Sequence, residues 1–254
     1  MLAPNNRKMM AQTLVIGDIH GGLKALQQVY TLAGAHKADR LVFLGDYVDG
    51  WSESAQTVEY LIRLSRAQRC IFLKGNHDEW CEAWLRTGDF DIQWLLHGGH
   101  ATFKSYDGAG DNLKKSHLRF FKEMHGYFID EQNRLFIHAG FTSNDGPQHE
   151  ADVSSFSWDR TLWETALATD VRIPRDSLLF PKRLKRFEEI FLGHTPTLNF
   201  HSQTPMHAQN VWNIDTGAAF TGRLTIMDAD TKKFWQSDPV HNLYPGEPGR
   251  NRAW

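Results

Sequence analysis

The strongest restriction on the fold comes from five short apolar runs, each of which stops abruptly at a polar turn containing glycine. They read TLVIGDIHG (13–21), RLVFLGDYVDG (40–50), CIFLKGNHD (70–78), RLFIHAG (134–140) and IFLGHTP (190–196). Near-unbroken Val, Ile, Leu and Phe is the pattern of a strand covered on both faces. Between the first three runs, Leu23, Leu26, Val29, Tyr30 and Ala33 recur at helical spacing, as do Val58, Leu61, Ile62 and Leu64. The turn glycines Gly17, Gly45 and Gly75 fall about 30 residues apart, the length of a βαβ unit. These strands are therefore predicted to be parallel neighbours with right-handed crossovers.

Residues 79–125 read as mostly helical, broken at His97–Gly98–Gly99 and at Asp107–Gly110, and residues 143–155 read as a polar loop. Further strands are expected at 210–215, 223–228 and 232–236, the last two joined by a turn at Ala229–Asp230–Thr231. A chain of 254 residues can be one domain of an α/β or two-layer β fold. The expectation is a single domain over 1–254, with its core at about 11–238 and irregular tails at 1–10 and 239–254.

Composition narrows the partners. A formal charge of −2 gives no basic footprint for nucleic acid and no polybasic patch for anionic membranes. No stretch approaches the roughly 20 apolar residues of a membrane helix. The two cysteines, Cys70 and Cys81, are too few for a disulfide framework and lack metal-motif spacing. Cys70 is expected to open a buried strand. The N-terminal segment has no apolar h-region, so a cytoplasmic protein is expected, with translation starting at Met1 or Met10. Oligomeric state is left open.

Asp, His and Asn placed just after five buried strands should converge at one sheet edge, where α/β proteins put their sites. Asp18 and His20 lie two apart, so in an extended segment they point the same way. Asp46 can offer one oxygen to each of two ions. Asn76 adds an amide oxygen, and His138 and His194 add ring nitrogens. Mixed N/O ligation suits Mn²⁺, Fe or Zn²⁺ better than Ca²⁺, and Mn²⁺ is the expected ion. Two such ions would bind phosphate oxygens and acidify a bridging water for in-line attack.

The motifs Gly-Asp-Ile-His-Gly, Gly-Asp-Tyr-Val-Asp-Gly, Gly-Asn-His-Asp, His-Ala-Gly and Gly-His-Thr occur in this order. As a set they resemble the metal-site motifs of the phosphoprotein phosphatase branch of the calcineurin-like metallophosphoesterases. The resemblance spans 13 to about 228 and is nearest to small bacterial and phage members typified by the bacteriophage lambda protein phosphatase. Trp94-Leu95-Leu96 with the following glycines, Trp158-Asp159-Arg160 and Ile214-Asp215-Thr216-Gly217-Ala218 fit the same branch. It implies two β-sheets packed face to face and flanked by helices, an α/β (or α+β) sandwich. By resemblance, Asp18, His20 and Asp46 would hold one ion, and Asp46, Asn76, His138 and His194 the other. His77 would be the general acid. Asp49 would bind its imidazole and favour the charged form.

The family's arginine after the second Asp of the second motif is replaced by Gly50, removing one bidentate phosphate contact. Arg160, with Asn76, is expected to bind the substrate phosphate instead. Trp51 is expected either to stack on an aromatic substrate group or to pack on the following helix. His97 and His100 mimic a His-Gly-Gly motif but follow a helical segment, so they are set aside. His36, His117, His125, His149, His201, His207 and His241 are read as surface or loop residues. The leading functional expectation is a phosphomonoesterase acting on phosphoserine or phosphothreonine in proteins, or on small phosphoesters. The alternative is a hydrolase of dinucleoside polyphosphates or other nucleotide anhydrides, and a more remote one is a non-catalytic phosphate-binding scaffold.

Overall fold

The computed structural model describes residues 12–37 and 39–251. The strands among these residues form two sheets of five. In the first sheet β1 (Thr13–Ile16), β2 (Arg40–Phe43) and β3 (Arg69–Phe72) run parallel, with Val15 paired to Val42 and Val42 to Ile71. Helices α1 (Leu23–Ala33) and α2 (Ser54–Ser65) make the predicted crossovers. The second sheet holds β4 (Tyr127–Ile129), β5 (Arg134–Ile137), β6 (Glu189–Leu192), β7 (Met206–Ala208) and β8 (Val211–Asn213), in the order β4-β5-β6-β8-β7. The chain then returns to the first sheet, where β9 (Thr225–Asp228) pairs antiparallel with β1, and β10 (Phe234–Gln236) with β9.

The apolar runs are unbroken because successive side chains enter different layers. Val15, Val42, Phe136, Phe191 and Met227 fill the space between the sheets, where the Phe136 and Phe191 rings stack at 5.1 Å. Their neighbours Leu14, Ile16, Leu41, Phe43 and Ile226 turn outward onto α1 and α2 through Leu26, Val29, Val58 and Leu61. On the far side, Leu135, Ile137, Ile190 and Leu192 pack on Leu162, Trp163 and Leu184. The architecture is the two-sheet sandwich flanked by helices. One expectation changes: β3 is an edge strand, so Cys70 is only half-buried. A continuous apolar run does not distinguish an edge from a centre.

The segment from 239, expected to be irregular, contains a helical turn at Val240–Leu243 followed by the buried Tyr244. Tyr244 stacks on Trp51 at 5.3 Å, and Trp51 is fully buried with Nε1–H donating to the Ala218 carbonyl at 2.8 Å. Trp51 is thus a core residue beneath the returning C-terminal segment, which rules out its stacking on a substrate. His117 is also buried rather than on the surface, between the Tyr106 hydroxyl at 2.8 Å and Glu59 at 3.3 Å. Among the described residues, no helix is long and apolar enough to cross a membrane.

Candidate metal centre

The parallel strands of both sheets end at the same edge, and the loops after β1, β2, β3, β5 and β6 meet there. Four residues of these loops, His20, Asp46, Asp49 and His194, adopt left-handed backbone with φ of 53°, 53°, 72° and 64°. Non-glycine residues in that region cost of order 1–3 kcal/mol each and persist only where surroundings enforce them. The enforcing bonds are visible. The Asp46 carbonyl accepts from Ile19 N–H and His20 N–H at 3.0 and 2.9 Å, and Trp51 N–H donates to the His20 carbonyl at 3.0 Å. The buried Asp78 carboxylate accepts from the backbone N–H groups of Gly75, Asp46 and Tyr47 at 2.8–2.9 Å. A side-chain carbon on Gly75 would lie 2.1 Å from Asp46 Oδ1, so only glycine lets the third loop close on that carboxylate.

All six side chains named from the sequence come together, and all are buried. Asp46 Oδ2 lies 3.6 Å from His20 Nε2 and 3.5 Å from His138 Nε2. Asp18 Oδ2 lies 4.0 Å from His20 Nε2. Asn76 Oδ1 lies 3.3 Å from His138 Nε2 and 3.0 Å from His194 Nδ1. Asp46 belongs to two compact donor groups, one with His20 and His77 and the other with His138 and His194.

The donor set fits divalent cations. Asp18 Oδ1 and His194 Nε2 are buried without a hydrogen-bond partner, which costs about 1–3 kcal/mol each unless a ligand takes them up. His20 donates from Nδ1 to the Asp49 carbonyl at 3.0 Å, and His138 from Nδ1 to the Leu44 carbonyl at 2.9 Å. Each bond fixes the tautomer that turns an Nε2 lone pair into the cluster. Burial holds the imidazoles of His20 and His194 well below the usual histidine range and that of His138 down to about 4. They are therefore neutral and ready to ligate. Burial also raises Asp46 to about 7, and burial with the nearby Asp215 and Asp46 charges raises Asp18 well above the carboxylate range. Concentrated carboxylates of this kind are what a bound cation relieves.

The sequence matches the calcineurin-like phosphoesterase family over residues 11–218. The chain belongs to this family. Among curated relatives, it is 26% identical over 228 residues to a bis(5'-nucleosyl)-tetraphosphatase PrpE (asymmetrical) of Bacillus thuringiensis (strain Al Hakam), covering 84% of this chain and 88% of the relative. A protein serine/threonine phosphatase from Saccharomyces cerevisiae with similarity to human phosphatase PP5 superimposes with a TM-score of 0.61 at 12% identity, over 92% of this chain and 82% of that one. A candidate diadenosine tetraphosphatase superimposes with a TM-score of 0.60 at 13% identity, over 90% and 94%. At such identities the structural likenesses speak for the fold.

In this phosphoesterase the His77–Asp49 pair is closely built. His77 Nδ1 lies 2.6 Å from Asp49 Oδ2, which also accepts from Trp94 Nε1–H at 2.7 Å, while Asp49 Oδ1 accepts from the Thr102 hydroxyl at 2.6 Å. Burial, and next the Arg250 charge, hold the His77 imidazole well below the usual histidine range. The bond to Asp49 sets Nδ1 toward that side chain and leaves Nε2 as the free position. Arg160 is exposed, yet near enough for its charge to act on Asp46, His138 and His194. His97 donates from Nδ1 to the Gln93 carbonyl at 2.7 Å, and neither it nor His100 belongs to the two donor groups.

Sequence reasoning missed Asp78, Trp94 and Thr102 as organisers of the site. Asp78 left a signal, since it stands at the capping-box position of α3 (Asn76–Thr87). Trp94 was named only as part of a motif and Thr102 left no signal, because both reach Asp49 only through tertiary packing. Asp215, named only as part of a motif, is also buried beneath the centre and raised to about 7 by burial.

Proposed function

We propose that this phosphoesterase cleaves nucleotide phosphoanhydrides, with dinucleoside polyphosphates as the substrate class, at a two-metal centre held by Asp18, His20, Asp46, Asn76, His138 and His194. The observation that carries the hydrolytic reading is the sharing of Asp46 between two buried donor groups. Divalent ions in those groups would supply Lewis-acid charge to the phosphate and an activated water. Arg160 and the Asn76 amide would orient the phosphate oxygens. His77, held through Nδ1 by Asp49, would in its protonated form donate from Nε2 to the leaving oxygen as general acid. Mn²⁺, Fe and Zn²⁺ all suit the donor set.

The choice of substrate departs from the leading expectation from the sequence and rests on three supports. The curated tetraphosphatase relative is matched along most of its length. A cavity of about 700 Å³, within the usual range for small-ligand sites, is lined by Arg250 and by Gly50, the residue that follows Asp49. At the other rim, the 38%-exposed Trp158 lies 6.5 Å from the His194 ring and 5.0 Å from Trp80, offering an aromatic face for a nucleobase. The second reading, phosphoserine or phosphothreonine hydrolysis, rests on the motif set.

The test is phosphate-bond cleavage by metal-stripped protein resupplied with Mn²⁺, on diadenosine tetraphosphate beside phosphoserine, phosphothreonine and phosphotyrosine peptides, with Asp46→Asn as the blank. Preferred turnover of the tetraphosphate, lost in the variant, supports the proposal. Preferred peptide turnover replaces it with the second reading.

A further inference from the structure

A second arginine approaches the centre from the far end of the chain. Gly50 has no side chain, yet the space beside it is filled. A carbon built on Gly50 would lie 3.3 Å from Arg250 Cγ, and one built on Gly98 would lie 3.0 Å from the same atom. The Arg250 stem therefore runs past two glycines, one in the second metal-site loop and one at the break before helix His100–Ser105. Its course is set by the segment that carries it. Tyr244 stacks on Trp51, Glu247 accepts from Ser52 N–H and Oγ–H at 3.0 and 2.7 Å, and Arg250 N–H donates to the Ala219 carbonyl at 2.8 Å. The guanidinium carbon lies 5.3 Å from the Phe220 ring centre, and the buried Nε has no hydrogen-bond partner.

The same Gly50 position brings Arg250 beside the first metal-site loop, since a carbon built there would also lie 3.5 Å from His20 Cβ. Among the described residues the buried Nε finds no hydrogen-bond partner, which leaves the guanidinium with a donor for an anion. An anion at the centre would take up that donor, and a guanidinium fork matches phosphate oxygens.

We infer that Arg250 is a substrate-phosphate ligand, delivered by the C-terminal segment to the side of the centre that Gly50 leaves bare and acting together with Arg160. The cavity bounded by Gly50, Gly98, His100, Lys104, Glu247 and Arg250 leaves room on that side for the group the phosphate carries. This assignment rests on the phosphohydrolase reading, but not on which phosphorylated compound is cleaved.

The test is competitive inhibition of p-nitrophenyl phosphate hydrolysis by inorganic phosphate, in Mn²⁺-loaded full-length protein, for wild type, Arg250→Lys and Arg250→Ala. Losing one charge-assisted contact should raise the phosphate Ki about ten- to hundredfold in Arg250→Ala. Arg250→Lys, which keeps the charge but not the fork, should fall between. Ki does not depend on the fraction of molecules folded or metal-loaded, so partial damage to the C-terminal segment cannot imitate this result. A Ki within twofold of wild type in both variants overturns the inference. Where wild type hydrolyses no phosphate compound at all, the phosphohydrolase reading fails, and Arg250 is judged separately by calorimetric titration of inorganic phosphate into the Mn²⁺-loaded proteins, the same change or constancy of affinity deciding it.

Discussion

Replacing Trp51 with alanine removes a fully buried indole, its hydrogen bond to the Ala218 carbonyl and its stack on Tyr244. Truncating a buried Trp to Ala costs about 3–5 kcal/mol. The stack, worth about 0.5–1.5 kcal/mol, and the hydrogen bond, about 1 kcal/mol net, are contained in that total because the same atoms make them. For a chain of this size about 2–4 °C of Tm is lost per kcal/mol, so the midpoint should fall by about 6–20 °C. Trp51→Phe keeps a ring against Tyr244 but orphans the Ala218 carbonyl, and should lose about 1–3 kcal/mol. The assay is calorimetric unfolding of wild type and both variants at equal Mn²⁺ loading, with KM for diadenosine tetraphosphate measured on the same preparations. A Tm within about 2 °C of wild type in Trp51→Ala, less than a 1 kcal/mol change would give, together with a raised KM, would refute the burial argument. It would return Trp51 to the substrate.

Three further outcomes are expected. Asp78→Asn leaves an amide where three backbone donors converge, and it should weaken Mn²⁺ binding about 10–100-fold in a metal titration; unchanged affinity would show that Asp78 does not hold the loops. Trp158→Ala should raise KM for diadenosine tetraphosphate about 5–100-fold while leaving p-nitrophenyl phosphate kinetics unaltered, the effect of losing a base stack; an equal change for both substrates would remove Trp158 from base recognition. Asp46 and Asp215, raised to about 7 by burial, stabilise the metal-free fold fully below the unfolded carboxylate pKa and lose that contribution as pH rises through about 7. The depressed histidines have the opposite sense and lose stability only as pH falls below their unfolded value. Between pH 6.5 and 8, metal-free protein should therefore fall in Tm while Mn²⁺-loaded protein stays flatter, and a flat metal-free profile would contradict the burial-driven rise.

The strand-end motifs were legible in the sequence because their chemistry is local. A carboxylate or imidazole beside a glycine, directly after a buried strand, carries its meaning within five residues. Repeated in order, such motifs predicted the parallel β1–β3 unit and the side chains that converge at its edge, and their resemblance to a known family implied the sandwich. Unbroken apolar runs also predicted burial on both faces for β1, β2, β5 and β6, whose alternate residues do enter two layers. Tertiary structure decided everything that depends on neighbours distant in sequence. Whether β3 is central or an edge is a matter of what pairs beside it. The support around Asp49 comes from Trp94 and Thr102, 45 and 53 residues away in sequence. Trp51 meets its acceptor across 167 residues, and Arg250 enters the gap at Gly50 only because the chain returns over Trp51. Such contacts leave no periodicity or spacing in the sequence, since the residues that make them are brought together by the packing of the two sheets and the closing C-terminal segment.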